Sequence, residues 1–321
     1  MKRWRLLLAV VLTAGLAGAL VWTMLRAPAA EAPVPGEAGR AAGDGEPLRL
    51  GLVPERDIFE QRQRHRVLAA YLSQRLGRPV KLVTFSTYSG VLDDFEQGTV
   101  DAAFLGSLIT VLVHERYGAR VLVKPEYADG SSSYRGVLFV RDDGPIASLD
   151  DLHGHCVAMV RGTMAGHLFP LTVLDGVEYG SIRACWLGSH DEAVAAVARG
   201  QIVAGAAKDR RLDVFEAANP DVSLRRLAVS ASVPENALVT SAALDEAVAD
   251  ALVEALLGLA QTPSGQAVLE AFGVRRFVAC EMRSYAPVYE LSEALRERWP
   301  SLGIQGPPPV RKAGDREEGE P

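Results

Sequence analysis

Two segments of this chain repeat the same order of elements, a helix, a glycine and an apolar strand, at a spacing of 102 residues. Tyr88 and His190 lie at the two helix starts, Gly98 and Gly200 lie at the two helix ends, and an apolar strand follows each glycine. A repeated helix–strand unit indicates two lobes of related α/β structure. Ligands of open α/β sheets bind where strands end and helices begin, so two lobes facing each other across such edges would enclose a cleft.

The rest of the body favours the same two-lobed fold. Apolar strands at 48–53 and 80–83 flank a helix at 64–76, and strands separated by helices of this length pair in parallel. Two segments, 131–140 and 227–236, are long enough to cross between lobes, as hinge-closing binding proteins require.

An amphipathic helix predicted over residues 244–259 is assigned back to the first lobe. We therefore expect lobe 1 to comprise residues 48–134 plus 234–306 and lobe 2 to comprise residues 135–233. A single compact α/β domain is the alternative.

The N-terminal segment is typical of a membrane anchor or a signal. Residues 6–25 are uncharged and mostly apolar, which is enough length to span a bilayer. Three basic residues precede this run and one follows it, so the body is expected outside the cytoplasmic membrane. We expect residues 1–26 to remain as an anchor, with cleavage after Ala29 as the alternative. Residues 27–47 and 307–321 lack apolar periodicity and are expected to form a flexible linker and a disordered tail.

Charge narrows the possible partners. The chain has 34 basic and 40 acidic residues and a net charge of −6. Four of the basic residues belong to the N-terminal segment, so the remaining chain carries about −10, which repels nucleic acid and anionic membrane surfaces. We expect neither as a partner of the body, and an anionic ligand would need a local site.

One strand-to-helix turn could provide such a site. The apolar run Cys156–Val160 leads through Gly162 and Thr163 into a predicted helix. The first N–H groups of a helix lack partners and carry the positive end of the helix dipole, and a neighbouring hydroxyl adds a donor. Many α/β proteins have such a turn and bind nothing there, so its meaning depends on the other motifs.

The cysteines do not indicate a metal site. Cys156, Cys185 and Cys280 lack metal-ligand spacing, and we expect no cofactor. The first two lie in apolar strand-like runs, where we favour buried thiols over a disulfide. An oxidising compartment keeps the Cys156–Cys185 bridge open as an alternative, with Cys280 then unpaired.

Several short motifs follow one another over residues 48–295, and they are Tyr88, DAAFLG at 101–106, GSSSYR at 130–135, SLDDLHG at 148–154, GSHD at 188–191 and PEN at 234–236. In this order they resemble the periplasmic solute-binding proteins of phosphate, phosphite and phosphonate ABC importers. The resemblance implies the type 2 periplasmic-binding fold, an α/β fold with two lobes, each a mixed sheet flanked by helices, and two crossings between them.

The resemblance also implies a function and a set of ligand contacts. The protein would lie on the periplasmic side of the membrane, close over a small phosphorus oxyanion and deliver it to an ABC importer permease. The implied contacts come from the strand-to-helix turn, the two helix starts and the crossings, and they are Tyr88, Ser133, Tyr134, Thr163, Met164, Ala165, Gly166, His190 and Asn236.

Some positions depart from the family pattern. Met164 and Ala165 replace residues that usually carry hydroxyls, so binding there would depend mainly on backbone N–H groups. Family members that bind aminoalkylphosphonates place acids near the end of the second-lobe strand and near the return crossing, where this chain has Lys208 and Asn236. We therefore expect no preference for an aminoalkylphosphonate. The side chains of Lys208 and Arg210 are expected to face solvent, and His65 is expected at the surface.

No catalytic arrangement is evident. Ser189, His190 and Asp191 are contiguous, whereas hydrolytic triads are assembled from residues distant in sequence, so we expect no enzymatic activity. The alternative function is a membrane-anchored sensor or interaction module that uses the same fold with altered or lost anion binding.

Overall fold

A computed structural model describes residues 45–53, 58–85, 90–174 and 182–295. By its contacts the chain divides into Met1–Arg40 and Ala41–Pro321, and all the described residues belong to the second unit. The predicted anchor at 6–25, the tail at 307–321 and nearly all of the linker at 27–47 lie outside the described residues. None of the helices within the described ranges combines the length and apolar character needed to span a bilayer.

The strands of the described residues are numbered in chain order as β1 (Leu48–Leu52), β2 (Val80–Thr84), β3 (Ala102–Leu105), β4 (Arg120–Glu126), β5 (Ser133–Tyr134), β6 (Gly136–Arg141), β7 (Cys156–Val160), β8 (Arg183–Leu187), β9 (Ala204–Lys208), β10 (Leu224–Val229), β11 (Val233–Pro234), β12 (Ala237–Thr240) and β13 (Arg276–Ala279). The α-helices are α1 (Ile58–Leu76), α2 (Gly90–Glu96), α3 (Ser107–Tyr117), α4 (Phe169–Val173), α5 (His190–Ala198), α6 (Asp209–Ala218), α7 (Glu246–Leu257), α8 (Pro263–Phe272) and α9 (Ala286–Ala294). A π-helical segment, Met164–Leu168, leads directly into α4.

These strands form two mixed sheets. The first has the order β13-β4-β12-β3-β1-β2 and the second the order β10-β6-β9-β7-β8. The predicted parallel pairing is confirmed at the centre of each, where β1 lies between β2 and β3 and β7 lies between β8 and β9. The first sheet takes strands from both ends of the body and the second from its middle. The lobe boundaries at residues 134 and 234 stay a prediction.

The repeated unit is present in both sheets. Helix α2 precedes Gly98 and β3, and α5 precedes Gly200 and β9. Both glycines have positive φ, 62° and 69°, a conformation that side chains rarely adopt and that commonly ends a helix. Each strand begins four residues after its glycine, because the chain first bends at the intervening residues.

The two crossings pair with each other. β5 and β11 form a short antiparallel ribbon in which Tyr134 lies opposite Val233. Beside it, an apolar cluster includes Leu108 of α3 together with Met164, Ala165 and Phe169 near the start of the second-sheet helix. Helix α7 packs elsewhere, in an apolar cluster with strands of the first sheet.

The expectation of buried thiols at Cys156 and Cys185 is wrong, because the two cysteines form a disulfide with a Cα–Cα distance of 5.7 Å. They lie on adjacent parallel strands, which brings their Cα atoms within the range that a disulfide spans. β8 is an edge strand, so both residues are half-buried rather than enclosed. Cys280 is a buried free thiol.

Candidate functional site

The carboxyl ends of β7, β8 and β9 meet at one edge of the second sheet, because the three strands are parallel neighbours. The chain leaves β7 toward Thr163, leaves β8 toward His190, and ends β9 at Lys208. Thr163 and His190 were predicted at such an edge, and the structure brings the end of β9 with Lys208 beside them.

Thr163 is the N-cap of the π-helical segment. Its backbone is extended, its Oγ accepts the N–H of Gly166 at 3.0 Å, and its hydroxyl donates to the carbonyl of Val160 at 2.9 Å. An anion needs a donor, and the only proton of this hydroxyl is already donated within the turn. The N–H groups of Met164 and Ala165, which have no acceptor inside the helix, are the donors that this turn can offer.

Apolar packing surrounds the same turn. Met164 and Ala165 are fully buried in the cluster that contains Leu108 and Tyr134. A Cβ at Gly136 would lie 3.2 Å from the Cα of Ala165, so the turn packs directly against the start of β6. At Gly166 a Cβ would lie 2.8 Å from the Cβ of Val160, and no side chain fits there. The two missing hydroxyls are thus replaced by hydrophobic contacts.

The side chain of His167 also forms a hydrogen bond within the turn. Its Nδ1 accepts the N–H of Gly162 at 3.1 Å, and its ring meets Trp186 edge-on at 4.8 Å. Burial and, secondarily, the positive charge of Arg161 lower the pKa of His167 to about 4. The ring is therefore neutral at pH 7 and accepts the hydrogen bond that its position requires.

His190 is buried at the start of α5. Ser189 caps this helix by accepting the N–H of Glu192, whose carboxylate accepts the N–H of Gly188 in return. These reciprocal bonds fix the helix start that positions the imidazole at the sheet edge. Tyr88, its counterpart in the repeated unit, falls at 86–89, outside the described residues.

The crossing residues are held by the ribbon. The hydroxyl of Tyr134 lies 3.1 Å from Oγ of Ser107, and Ser107 donates to the carbonyl of Pro234 at 2.7 Å. Ser107 is the first residue of α3, so these bonds tie both crossings to the helix that follows β3 of the first sheet. Ser133 is half-buried at a shallow pocket on the other side of the ribbon, beside Ser131 and Arg210.

Lys208 does not face solvent as expected. Its side chain is 8 % exposed, and its Nζ donates to the carboxylate of Glu235 at 3.0 Å and to Oδ1 of Asn236 at 2.8 Å. The same ammonium lies 4.3 Å from the ring centroid of Tyr134. The prediction failed because the neutralising carboxylate is 27 residues away in sequence. Asn236, a predicted ligand contact, is thereby joined to Tyr134 through Lys208.

A cavity of about 280 Å³ adjoins this group. Its lining contains more basic than acidic side chains, namely Arg64, Lys208, Arg210 and Arg211 against Glu235, and aromatic walls from Phe104, Phe272 and Phe277. The expectation for Arg210 is also wrong, because its guanidinium lines this cavity and lies 3.6 Å from the ring centroid of Tyr127. His65 is buried rather than exposed and packs edge-on against Phe272 at 5.0 Å. No spacing in the sequence indicates the pairing of His65 with an aromatic residue so far along the chain.

A profile described as "ABC transporter, phosphonate, periplasmic substrate-binding protein" matches residues 50–285. The chain belongs to this family. The family consists of transport proteins rather than enzymes, so the predictions of family and of no enzymatic activity are confirmed. The protein is a periplasmic substrate-binding component of a phosphonate ABC transporter, and the matches do not favour the sensor alternative.

Two curated relatives are similar over much of the body. The phosphonates-binding periplasmic protein of Escherichia coli (strain K12) is 25% identical over 232 residues, which cover 69% of this chain and 68% of the relative. The phosphate-import protein PhnD of Mycolicibacterium smegmatis (strain ATCC 700084 / mc(2)155) is 28% identical over 192 residues, which cover 54% and 58%.

Solved structures establish the fold. PhnD1 from Prochlorococcus marinus (MIT 9301) in complex with methylphosphonate has a TM-score of 0.68 and 21% identity, over 78% of this chain and 98% of that one. A binding protein component of an ABC phosphonate transporter from Pseudomonas aeruginosa also has a TM-score of 0.68, at 19% identity, over 78% and 86%. The predicted two-lobed type 2 periplasmic-binding fold is confirmed.

Proposed function

We propose that this protein binds a small phosphorus oxyanion, namely phosphate, phosphite or a simple phosphonate, and delivers it to the permease of an ABC importer. The observation that carries the proposal is the shared sheet edge. There the N–H groups of Met164 and Ala165 follow the end of β7, and the buried His190 follows the end of the neighbouring parallel strand β8. Backbone N–H groups at a helix start suit a tetrahedral oxyanion. One curated relative is named as a phosphonates-binding protein and the other as a phosphate-import protein, and both names support the same ligand class.

Within this proposal the turn of Thr163, Met164, Ala165 and Gly166 contributes through its backbone, with the Thr163 side chain as its cap. His190 adds an imidazole, and Tyr88, Ser133, Tyr134 and Asn236 are the contacts proposed from the first lobe and the crossings. Binding would favour the closed arrangement of the two lobes, which the permease then recognises.

The test is calorimetry with phosphate, phosphite and methylphosphonate on the wild type, on His190→Ala and on His153→Ala. His153 is an exposed histidine of the same lobe and serves as the matched control. We expect at least one ligand to bind, a loss of tenfold or more in affinity for His190→Ala, and no change for His153→Ala. The proposal is wrong if none of the three ligands binds the wild type.

For the N-terminal segment we propose that residues 6–25 hold the protein at the periplasmic face of the cytoplasmic membrane. Expression of the full chain followed by carbonate extraction tests this. We expect the protein in the membrane pellet with its N-terminal residues intact. Recovery in the soluble periplasmic fraction, with a new N-terminus at Ala30, would identify a cleaved signal instead.

A further inference from the structure

The ammonium of Lys208 occupies a cation site made by other parts of the chain. Glu235 provides a carboxylate oxygen at 3.0 Å, Asn236 an amide oxygen at 2.8 Å, and Tyr134 a ring face at 4.3 Å from Nζ. Each of these groups favours a positive charge, and a buried carboxylate needs one. Together these three groups suit an ammonium.

The groups around the ammonium are held in place without Lys208. The backbone N–H of Glu235 donates to the carbonyl of Ser132 at 3.1 Å, and the Tyr134 hydroxyl is bonded to Ser107. Lys208 itself comes from the end of β9 in the second sheet, whereas its three partners lie on the ribbon and on the connection to β12. The groups that surround the ammonium are therefore supplied by segments other than the strand that supplies the cation.

The site also borders a cavity. Lys208, Glu235 and Asn236 all line the cavity of about 280 Å³, so a small cation in the cavity would reach Glu235 if the lysine side chain were shorter. With Lys208 present, Glu235 is neutralised and the remaining charged groups of the cavity lining are arginines. Among the cavity-lining residues that the structure describes, an incoming ammonium group would meet three repelling guanidinium groups and no carboxylate other than Glu235.

We propose that Lys208 is a specificity-determining residue, whose ammonium takes the place that the ammonium of an amine-bearing ligand would need and so restricts the cleft to anions without a cationic group. This inference rests on the proposed function for the identity of the anionic group, but the cation site can be tested without it.

The first experiment is chemical rescue. Lys208→Ala leaves Glu235 without its cation and opens space for about three methylene groups and an ammonium, so we expect a lower melting temperature that millimolar n-propylammonium raises by several degrees. The neutral analogue 1-propanol, which has the same number of heavy atoms, should not raise it, and neither should n-propylammonium act on the wild type or on the double variant Lys208→Ala/Glu235→Gln. Equal effects of n-propylammonium and 1-propanol, or rescue of the double variant, would show a cavity that does not distinguish a charged from a neutral guest and would overturn the proposal.

The second experiment compares 2-aminoethylphosphonate with n-propylphosphonate, which has a methyl in place of the ammonium. The wild type should favour n-propylphosphonate, and Lys208→Ala should shift the affinity ratio toward 2-aminoethylphosphonate by at least tenfold. Arg211→Ala removes another cation of the same cavity and is the matched control, for which a shift below threefold is expected. An unchanged ratio in Lys208→Ala, or an equal shift in Arg211→Ala, contradicts the proposal.

The two experiments distinguish a failure of the oxyanion function from a failure of the cation site. If the wild type binds no phosphorus oxyanion but n-propylammonium rescues Lys208→Ala, the oxyanion function fails and the cation site stands.

If Lys208→Ala does not fold, Lys208→Met keeps the volume and removes the charge. It should then narrow the discrimination against 2-aminoethylphosphonate at least threefold, and unchanged discrimination in Lys208→Met would overturn the proposal.

Discussion

The turn at residues 161–167 and the group formed by Lys208, Glu235, Asn236 and Tyr134, here called the lysine site, lie at the same sheet edge but are built differently. The turn satisfies its polar groups locally, since Thr163 and His167 bond to backbone atoms within five residues. The lysine site joins three separate segments of chain. Polar side chains that look like ligand contacts in a short motif can form their hydrogen bonds within that motif. A pair formed between distant segments of the chain can remain part of the cleft.

The strongest test of this difference is a double-mutant cycle on the buried ion pair. Lys208→Met and Glu235→Gln should each lower the free energy of unfolding by about 3–5 kcal/mol, because each leaves the partner buried without its opposite charge. The double variant should lose no more than either single variant, since no uncompensated charge remains. Urea unfolding of the four proteins measures the cycle.

An exposed pair provides the control for this cycle. Arg283 and Glu281 also lie within ion-pair distance, at 2.8 Å, but both side chains are largely exposed. Arg283→Met should leave the urea midpoint unchanged, because water screens such a pair. Additive losses in the Lys208 and Glu235 cycle would mean that the two residues contribute independently. The ion pair of the lysine site would then resemble the exposed pair of Arg283 and Glu281.

The disulfide at the other end of β7 is expected to have the next largest effect. Cys156 and Cys185 close a loop with a sequence separation of 29, and a cross-link of this size stabilises by about 3–4 kcal/mol, chiefly by restricting the unfolded chain. Cys156→Ala/Cys185→Ala should therefore lower the free energy of unfolding by that amount. Cys280→Ala, the control, removes a buried thiol outside any bridge. A loss as large in Cys280→Ala would show that packing rather than the cross-link is responsible.

Acid should weaken the turn at residues 161–167. The pKa of His167 is lowered to about 4 in the folded protein, from 6.5 in the unfolded chain, so between these values the unfolded chain binds a proton that the folded protein does not. Stability from this group is complete above pH 6.5 and decreases as the pH falls toward 4. At pH 5 the loss relative to pH 7 is about 2 kcal/mol.

The comparison of His167→Phe with the wild type isolates this contribution. Phenylalanine keeps a ring beside Trp186 but cannot bind the proton, so the difference in urea midpoint between pH 7 and pH 5 should become smaller. His153→Ala, an exposed histidine, should leave the difference unchanged. If His167→Phe retains the full pH dependence, another group causes it.

Sequence patterns predicted the fold well, because the fold depends on local periodicity. The repeated unit, the parallel pairing of β1 with β3 and the helix ends at Gly98 and Gly200 all follow from short stretches of sequence. The site was harder to predict. Thr163 and Gly166 belong to a real helix start, but the sequence does not show that the Thr163 proton is donated to Val160. Lys208 was assigned to solvent because its partner Glu235 becomes a neighbour only after both crossings have formed.

Thr163 allows the smallest and most direct test of whether the turn is structural or a source of side-chain contacts. Thr163→Val removes both bonds of the cap and should lower the free energy of unfolding by about 1 kcal/mol, whereas Thr163→Ser keeps the hydroxyl and should lose less.

Because the wild-type hydroxyl donates its proton to Val160, the affinity of Thr163→Val for the oxyanion that the wild type binds should stay within about twofold. Calorimetry and urea unfolding of both variants give the two quantities. A tenfold loss of affinity in Thr163→Val, with Thr163→Ser unaffected, would instead mean that the hydroxyl turns from Val160 to the ligand, and the turn would then resemble the lysine site in using a side chain in the cleft.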